Sequence, residues 1–299
     1  MTRNARRSKN KIKRKILVSQ IFYSKDQIPA LDKNFIHYDN SGRDDVLREF
    51  SVFERLERLP AQKKSELWGA VSWRFTEKTG LTGEKFLSLV EAEPGFDLYY
   101  CNPFPEHEAL YINGWQQGTV SHPAFIELCA HVLKAAELNI DEIKSVQSSN
   151  YFSACNYFLA SPNFWGLYLP WVKSIISKAR SGLPEAMVKV LDSRLSDPTS
   201  QHPGATYWPF IVERLLPQFL HGPGRDLKIC KVALPATEAR MNVHLQRLRE
   251  MKDVAHRTRS IWMYSCWLNY RNIYLLQNFG KVWCRRYLPM ISVAEPEFW

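Results

Sequence analysis

Three short clusters of polar side chains in this sequence are of types that handle phosphates and hydroxyls: Asp39-Asn40-Ser41, Ser72-Trp73-Arg74 with Lys78, and the stretch Asn102 to Glu108. Arginine and lysine neutralise phosphate oxygens, hydroxyl and amide groups bond to sugar rings, and carboxylates take up protons or hold divalent ions. Gathered in one cleft, they suit a diphosphate joined to polyhydroxylated rings; taken singly, each is also what a solvated loop carries. Gln116-Gln117 behind Trp115 reads two ways, as sugar contacts beside an aromatic platform or as a packed loop. The sequence holds no GxGxxG, no Walker A lysine loop, no HExxH and no Gly-x-Ser-x-Gly elbow. Of the 8 histidines only His107, between Glu106 and Glu108, comes near a metal-ligand spacing.

The clusters act together only if the fold brings them to one edge. Lys15 to Tyr23 is a β-branched and aromatic run that predicts a first core strand. After the turn residues Asp39 to Gly42, Val46, Leu47, Phe50, Phe53 and Leu56 recur at helical spacing in a helix beginning at Asp44. Leu67 to Trp73 reads as a second strand, Thr82 as the cap of a helix, and Phe96 to Cys101 as a third strand ended by Asn102-Pro103. His122-Pro123 opens a helix running to about Leu138, Tyr151 to Leu159 is strand-like, and Pro162 and Pro209 start two more helices. The alternation over residues 16–236 predicts an α/β fold with a mostly parallel sheet flanked by helices, whose strand ends collect ligand groups.

Hydrophobic residues at 45% and aromatics at 13% of 299 residues exclude a disordered or low-complexity chain. The six cysteines are never closer than 18 positions, which excludes a zinc knuckle and a dense disulfide frame, so they read as reduced, mostly buried thiols. Net charge is +10, unevenly spread: residues 1–15 carry eight basic residues and no acid, 237–299 net +5, and 16–236 net −3. A nearly neutral body with basic ends predicts attachment of the ends to something anionic, a membrane surface or nucleic acid. The apolar part that follows the basic start is too short for a secretory signal, and no run is long enough to span a bilayer.

The segment order resembles the glycosyltransferases of bacterial polysaccharide clusters, those of O-antigen or capsule, which have the GT-A nucleotide-sugar fold. The resembling stretches are IFYSKDQIPALDKNFIHYDNSG (21–42), LREFSVFERL (47–56), ELWGAVSWRFTEKTGL (66–81), FDLYYCNPFP (96–105), INGWQQGTVSHPAF (112–125), SSNYFSACNYFLASPNFW (148–165) and YWPFIVERLL (207–216), most of 16–220. The resemblance implies a GT-A-like body with a nucleotide-sugar donor and a glycan or lipid-linked acceptor. It implies donor contacts near Tyr23, at Asp39, Asn40 and Ser41, and at Ser72, Arg74, Lys78 and Asn102, and sugar or acceptor contacts at Asn150, Ser153 and Asn156. Where that family has Asp-x-Asp holding Mg2+ or Mn2+, this chain has Tyr100-Cys101-Asn102. Two phosphates then call for fixed cations, Arg74 and Lys78, although Asp44-Asp45 or Glu106 with Glu108 remain possible metal ligands. Glu213, beside Arg214, reads as the general base of an inverting transfer or as a structural partner of that arginine; Asp39 and Glu106 compete for the base role.

From Glu238 to Tyr287 there is no proline and one glycine, and aromatic residues from Tyr264 to Trp283 fall near helical spacing. This basic, aromatic, helical tail (237–299) reads as a helix lying in a membrane interface or as one packed on the body. Removing it leaves the body folded in the first case and insoluble in the second. The expectation is a transferase working peripherally on the inner face of the cytoplasmic membrane. The rival, with nucleic acid the less favoured partner, is a nucleic-acid-binding protein using the arm and tail.

Overall fold

The computed structural model describes residues 15–195 and 204–298, so the basic arm expected at 1–15 lies, but for Lys15, outside the described residues. Six strands, β1 (Ile16–Phe22), β2 (Ile36–Asp39), β3 (Leu67–Ser72), β4 (Leu98–Tyr100), β6 (Phe158–Ala160) and β7 (Ile229–Lys231), form one sheet in the order β2-β1-β3-β6-β4-β7. Neighbours are parallel except β6, which runs antiparallel between β3 and β4. A second, two-stranded sheet pairs β5 (Ser145–Val146) with β8 (Glu297–Phe298).

Both faces of the large sheet are covered, because side chains alternate along each strand. In β3, Leu67 and Val71 join a cluster with Phe75, Phe86 and Val90, while Trp68 and Ala70 join Phe53, Phe164 and Trp165 on the other side. The Trp68 and Trp165 rings stack at 4.3 Å, and the Trp165 indole donates to the Trp68 carbonyl at 2.9 Å. This ties the Pro162–Gly182 helix to the sheet. Its N-terminus is capped by Ser161, and that of the Gly83–Ala92 helix by Thr82. At Gly69 the antiparallel β6 comes so close that a Cβ would sit 1.8 Å from the Phe158 carbonyl oxygen. Only glycine fits there.

Several boundaries differ from the expectation. The helix after the first loop starts at Glu49, because Asp45 is engaged by Arg55 and Asn40 instead of lying in a helical turn. Residues 151–157 are a buried loop, with Ser153 Oγ donating to the Cys155 carbonyl at 3.0 Å; only Phe158–Ala160 has strand partners on both sides. The helix after Pro123 spans Phe125–Ala135. β2 and β7 lack a hydrophobic run that would announce them. All six cysteines are free thiols and four are buried.

The tail forms the helices Val243–Thr258 and Ile261–Ile291, the latter broken at Gly280 (φ 78°, ψ 171°). Both pack on the body, sharing a core with Ala109 to Ile112, Val146 and Phe152. Trp267 donates to the Ala109 carbonyl at 2.9 Å, and Gln116 Nε2 donates to the Ile291 carbonyl at 2.5 Å. Two basic residues of the tail face inward rather than toward water. Arg271 lies over the Trp267 ring at 4.9 Å and donates to the Ile291 carbonyl at 3.0 Å. Lys252 donates to the Tyr111 carbonyl at 2.9 Å, and burial pushes its ammonium down to about 8. Among the described residues no helix is long and apolar enough to cross a membrane.

Candidate active site at the carboxyl ends of the strands

β1 lies between β2 and β3, both parallel to it, so successive connections leave β1 in opposite directions. Diverging loops at such a reversal leave a crevice at the carboxyl ends of the strands. Tyr23 follows β1 into this crevice, and Ser72 with Lys78 follows β3. Arg48 and Glu49 enter at the start of the Glu49–Glu57 helix, and Cys155 to Tyr157 on the way into β6. Glu213 comes from the break between the helices Trp208–Val212 and Leu215–His221.

These groups feel one another. Ser72 Oγ and the Tyr157 hydroxyl are 2.7 Å apart. The Lys78 ammonium lies 5.6 Å from the Phe104 ring and 5.9 Å from that of Tyr157, and among the described residues it has no carboxylate at ion-pair distance. Burial, with the neighbouring Glu49 carboxylate, pushes the Tyr23 hydroxyl well above its ordinary range. About a fifth of the Glu213 side chain, 21%, meets solvent. The protein packed around it nevertheless desolvates the carboxyl and, with Glu49 nearby, raises it to about 7 against the pull of Arg214, Lys78 and Arg48. Asn156 is buried, and its side-chain oxygen has no hydrogen-bond partner among the described residues.

Arg48 sits at φ 46°, ψ −116°. A non-glycine residue held there stores about 1–3 kcal/mol of backbone strain, which the surrounding structure must impose. The strain sets the direction in which Arg48 and Glu49 enter the crevice.

The other residues singled out in the sequence lie elsewhere along the edge or serve the frame. Asp39, at the end of β2, is exposed and accepts from the Ser41 amide (2.8 Å) and hydroxyl (2.5 Å), which hold its carboxyl below the usual range. Asn40 is buried, accepting from Arg55 at 2.7 Å and donating to Asp45 at 3.1 Å. Arg74 is paired with Glu77, Nε to Oε2 at 2.9 Å. Asn102, two strands along from β3, donates to Glu108 at 2.7 Å. Asp39, Arg74 and Asn102 thus share an edge of the sheet, and each is bonded to a partner of its own. Gln116 supports the tail, and Gln117 Oε1 accepts from Arg214 at 2.5 Å. Ser153 is a loop bond, and Asn150 is exposed. Glu106 is raised by burial but lies by Arg240 and Glu108, beside the tail.

The carboxylate pairs suggested as metal ligands do not fit that task. Asp45 is held by Arg55 at 2.6 Å and Asp44 is paired with Arg194. Buried Glu108 is held by Lys231 at 2.5 Å, with Arg249 at 3.6 Å. Among the described residues no three His, Cys, Asp or Glu side chains gather as metal ligands. A hollow of about 540 Å³ between the Glu49–Glu57 and Pro162–Gly182 helices is lined by Leu47, Glu54, Lys173 and Arg180, and by none of the crevice groups.

Arg48, Glu49 and Tyr157 were not singled out in the sequence. A charged pair opening a helix is ordinary there, and only the fold turns it toward Glu213. Compared with protein-family models, curated proteins and solved structures, the chain matches none.

Proposed function

We propose that the chain is a glycosyltransferase that moves a sugar from a nucleotide-diphosphate donor to a glycan or lipid-linked acceptor in polysaccharide biosynthesis, on a GT-A-like body. One observation carries the reading: near the carboxyl edge where the sheet reverses, burial raises the Glu213 carboxyl to about 7 while Lys78 and Arg48 are close enough for their charges to pull against it. The α/β sheet, parallel but for one strand, and the segments at its carboxyl edge are consistent with it.

In this reading Lys78 and Arg48 meet the diphosphate oxygens, Ser72 and Tyr157 border the donor, and Asn156 offers its unpartnered oxygen to a sugar hydroxyl. Ionised Glu213 takes the proton of the acceptor hydroxyl as that oxygen attacks the anomeric carbon. The bond to the diphosphate breaks with inversion, and the nucleoside diphosphate leaves with its charge against the two cations. No step is routed through Mg2+ or Mn2+, since the carboxylate pairs are taken up by arginine and lysine.

Thermal melting against UDP-, GDP-, CMP- and ADP-sugars tests the reading. A true donor at a hundred times its dissociation constant stabilises the chain by about 2.7 kcal/mol. No shift with any donor, together with salt-sensitive binding to nucleic acid, transfers the case to the nucleic-acid-binding alternative.

A further inference from the structure

The Ile261–Ile291 helix buries one stripe, Tyr264, Trp267, Arg271, Tyr274 and Leu275, against the body. Its outward positions carry large apolar side chains among polar ones such as Asn269, Gln277 and Asn278. Trp262 is 82% exposed and Val282 84%, and Ile273, Leu276 and Phe279 are exposed between them. Across the break at Gly280 runs an aromatic ladder, Phe279 to Trp283 at 5.0 Å and Trp283 to Tyr287 at 4.9 Å. So many large apolar side chains left exposed on one helical segment mark a surface that meets something.

The charge on that side identifies what it meets. From residue 254 to 294 the sequence has no acid, and Lys281, Arg285 and Arg286 are all exposed. A hollow of about 380 Å³ has Leu276, Cys284, Leu288 and Pro289 in its lining together with Lys281 and Arg285. Apolar and aromatic groups interleaved with cations, on a helix that does not span, are the composition that lies at the headgroup level of a bilayer. A protein partner covering so long a strip would have to answer three cations without a carboxylate on the helix to set its register.

We propose that the outward face of the Ile261–Ile291 helix rests on an anionic lipid bilayer, with Trp262, Ile273, Leu276, Phe279 and Val282 at the acyl boundary and Lys281, Arg285 and Arg286 against lipid phosphates. The proposal is independent of the transferase reading. It turns the tail's two roles into one: the inner stripe holds the body, and the outer stripe holds the membrane.

Flotation of the full chain with vesicles of phosphatidylcholine alone, and with added phosphatidylglycerol, tests it. The wild type floats with the anionic vesicles and stays behind with the neutral ones. Trp262→Asp with Val282→Asp, and separately Arg285→Glu with Arg286→Glu, each weaken binding by about tenfold or more while leaving the melting temperature unchanged. Failure of the wild type to bind overturns the proposal, as does equal binding to neutral vesicles. So does binding undiminished in both variants, which moves the attachment elsewhere in the chain. A dimer by light scattering that the aspartate variant converts to monomer gives the face to a second copy and overturns it too.

Discussion

Arg214 and Glu213 are chain neighbours that do not hydrogen-bond: Arg214 Nη1 stands 3.6 Å from Glu213 Oε2. The guanidinium is used elsewhere, donating to the Gly114 carbonyl at 2.7 Å, the Phe210 carbonyl at 2.6 Å and Gln117 Oε1 at 2.5 Å. Arg214 therefore fixes the break between two helices, and Glu213 keeps a desolvated carboxyl with no hydrogen bond among the described residues to lower it.

That carboxyl makes stability and rate respond oppositely to pH. It ionises near 4.5 when exposed and near 7 in the fold, so the folded chain holds its proton more tightly. Below about 4.5 both states are protonated and nothing is lost; stability falls as pH rises from there to 7, by up to roughly 2–3 kcal/mol, and stays lowered above. Glu213→Gln therefore melts higher than wild type at pH 8 and equally at pH 4.5. The same substitution lowers turnover by about 10²–10⁴ and removes the rise of kcat/KM with pH through about 7. Melting curves and initial rates of nucleotide release read the two effects.

Lys78 and Arg74, four positions apart, differ in what holds them. Arg74 is answered by Glu77, whereas Lys78 lies near the Phe104 and Tyr157 rings and, among the described residues, has no carboxylate at ion-pair distance. Lys78→Met is expected to weaken donor binding by about 10- to 100-fold, the worth of a hydrogen bond to a charged group. Arg74→Ala leaves it within about threefold. Titration calorimetry with the nucleoside diphosphate separates them, and a larger loss at Arg74 returns the phosphate role to that residue.

Glu108 is the hub where β4, β7 and the Val243–Thr258 helix meet. Glu108→Leu puts an apolar side chain against the partly buried Lys231 and Arg249, and takes from Asn102 one of its two acceptors. Lys231 keeps the Ser149 carbonyl and Arg249 keeps Glu238, so the loss destabilises by about 1–3 kcal/mol, the cost of hydrogen bonds to charged groups. Urea denaturation measures it, and a change under 1 kcal/mol would show that water reaches the cations.

Ending the chain at residue 242 is expected to give insoluble protein. The cut exposes Ala109, Ile112, Val146 and Phe152 and removes β8, the partner of β5. Trp267→Ala, a milder change at the same core, lowers stability by about 3–5 kcal/mol in the same denaturation experiment. A soluble, cooperatively melting 1–242 chain would show instead that the body stands without the tail.

The main strands and the long helices were legible because burial leaves a pattern in the sequence: a continuous apolar run where both faces of a strand are covered, and a helical period where one face of a helix is. Leu67 to Trp73 and Pro162 onward are of this kind. β2, with Ile36 exposed, and β7, half-buried, carry no such period and are held by backbone pairing, β2 to the preceding β1 and β7 to the distant β4. The site was legible in part for a related reason. Tyr23, Ser72, Lys78, Asn156 and Glu213 follow or flank elements that could be placed, and the crevice gathers them. Asn40, Asn102, Gln116 and Gln117 look like ligand groups by type, but an amide serves a buried frame equally well, and type alone does not separate the two uses. Arg48 and Glu49 depend on a strained turn that nothing in local composition signals.

The hydrogen at Gly69 has a consequence beyond its own contact. β3 brings Ser72 and leads to Lys78, while β6 brings Asn156 and Tyr157, and the two strands are zipped together at that position. Any methyl group there would wedge the strands apart and part the Ser72 and Tyr157 hydroxyls, so a crevice built of large aromatic and charged groups takes its width from the smallest side chain in the sheet.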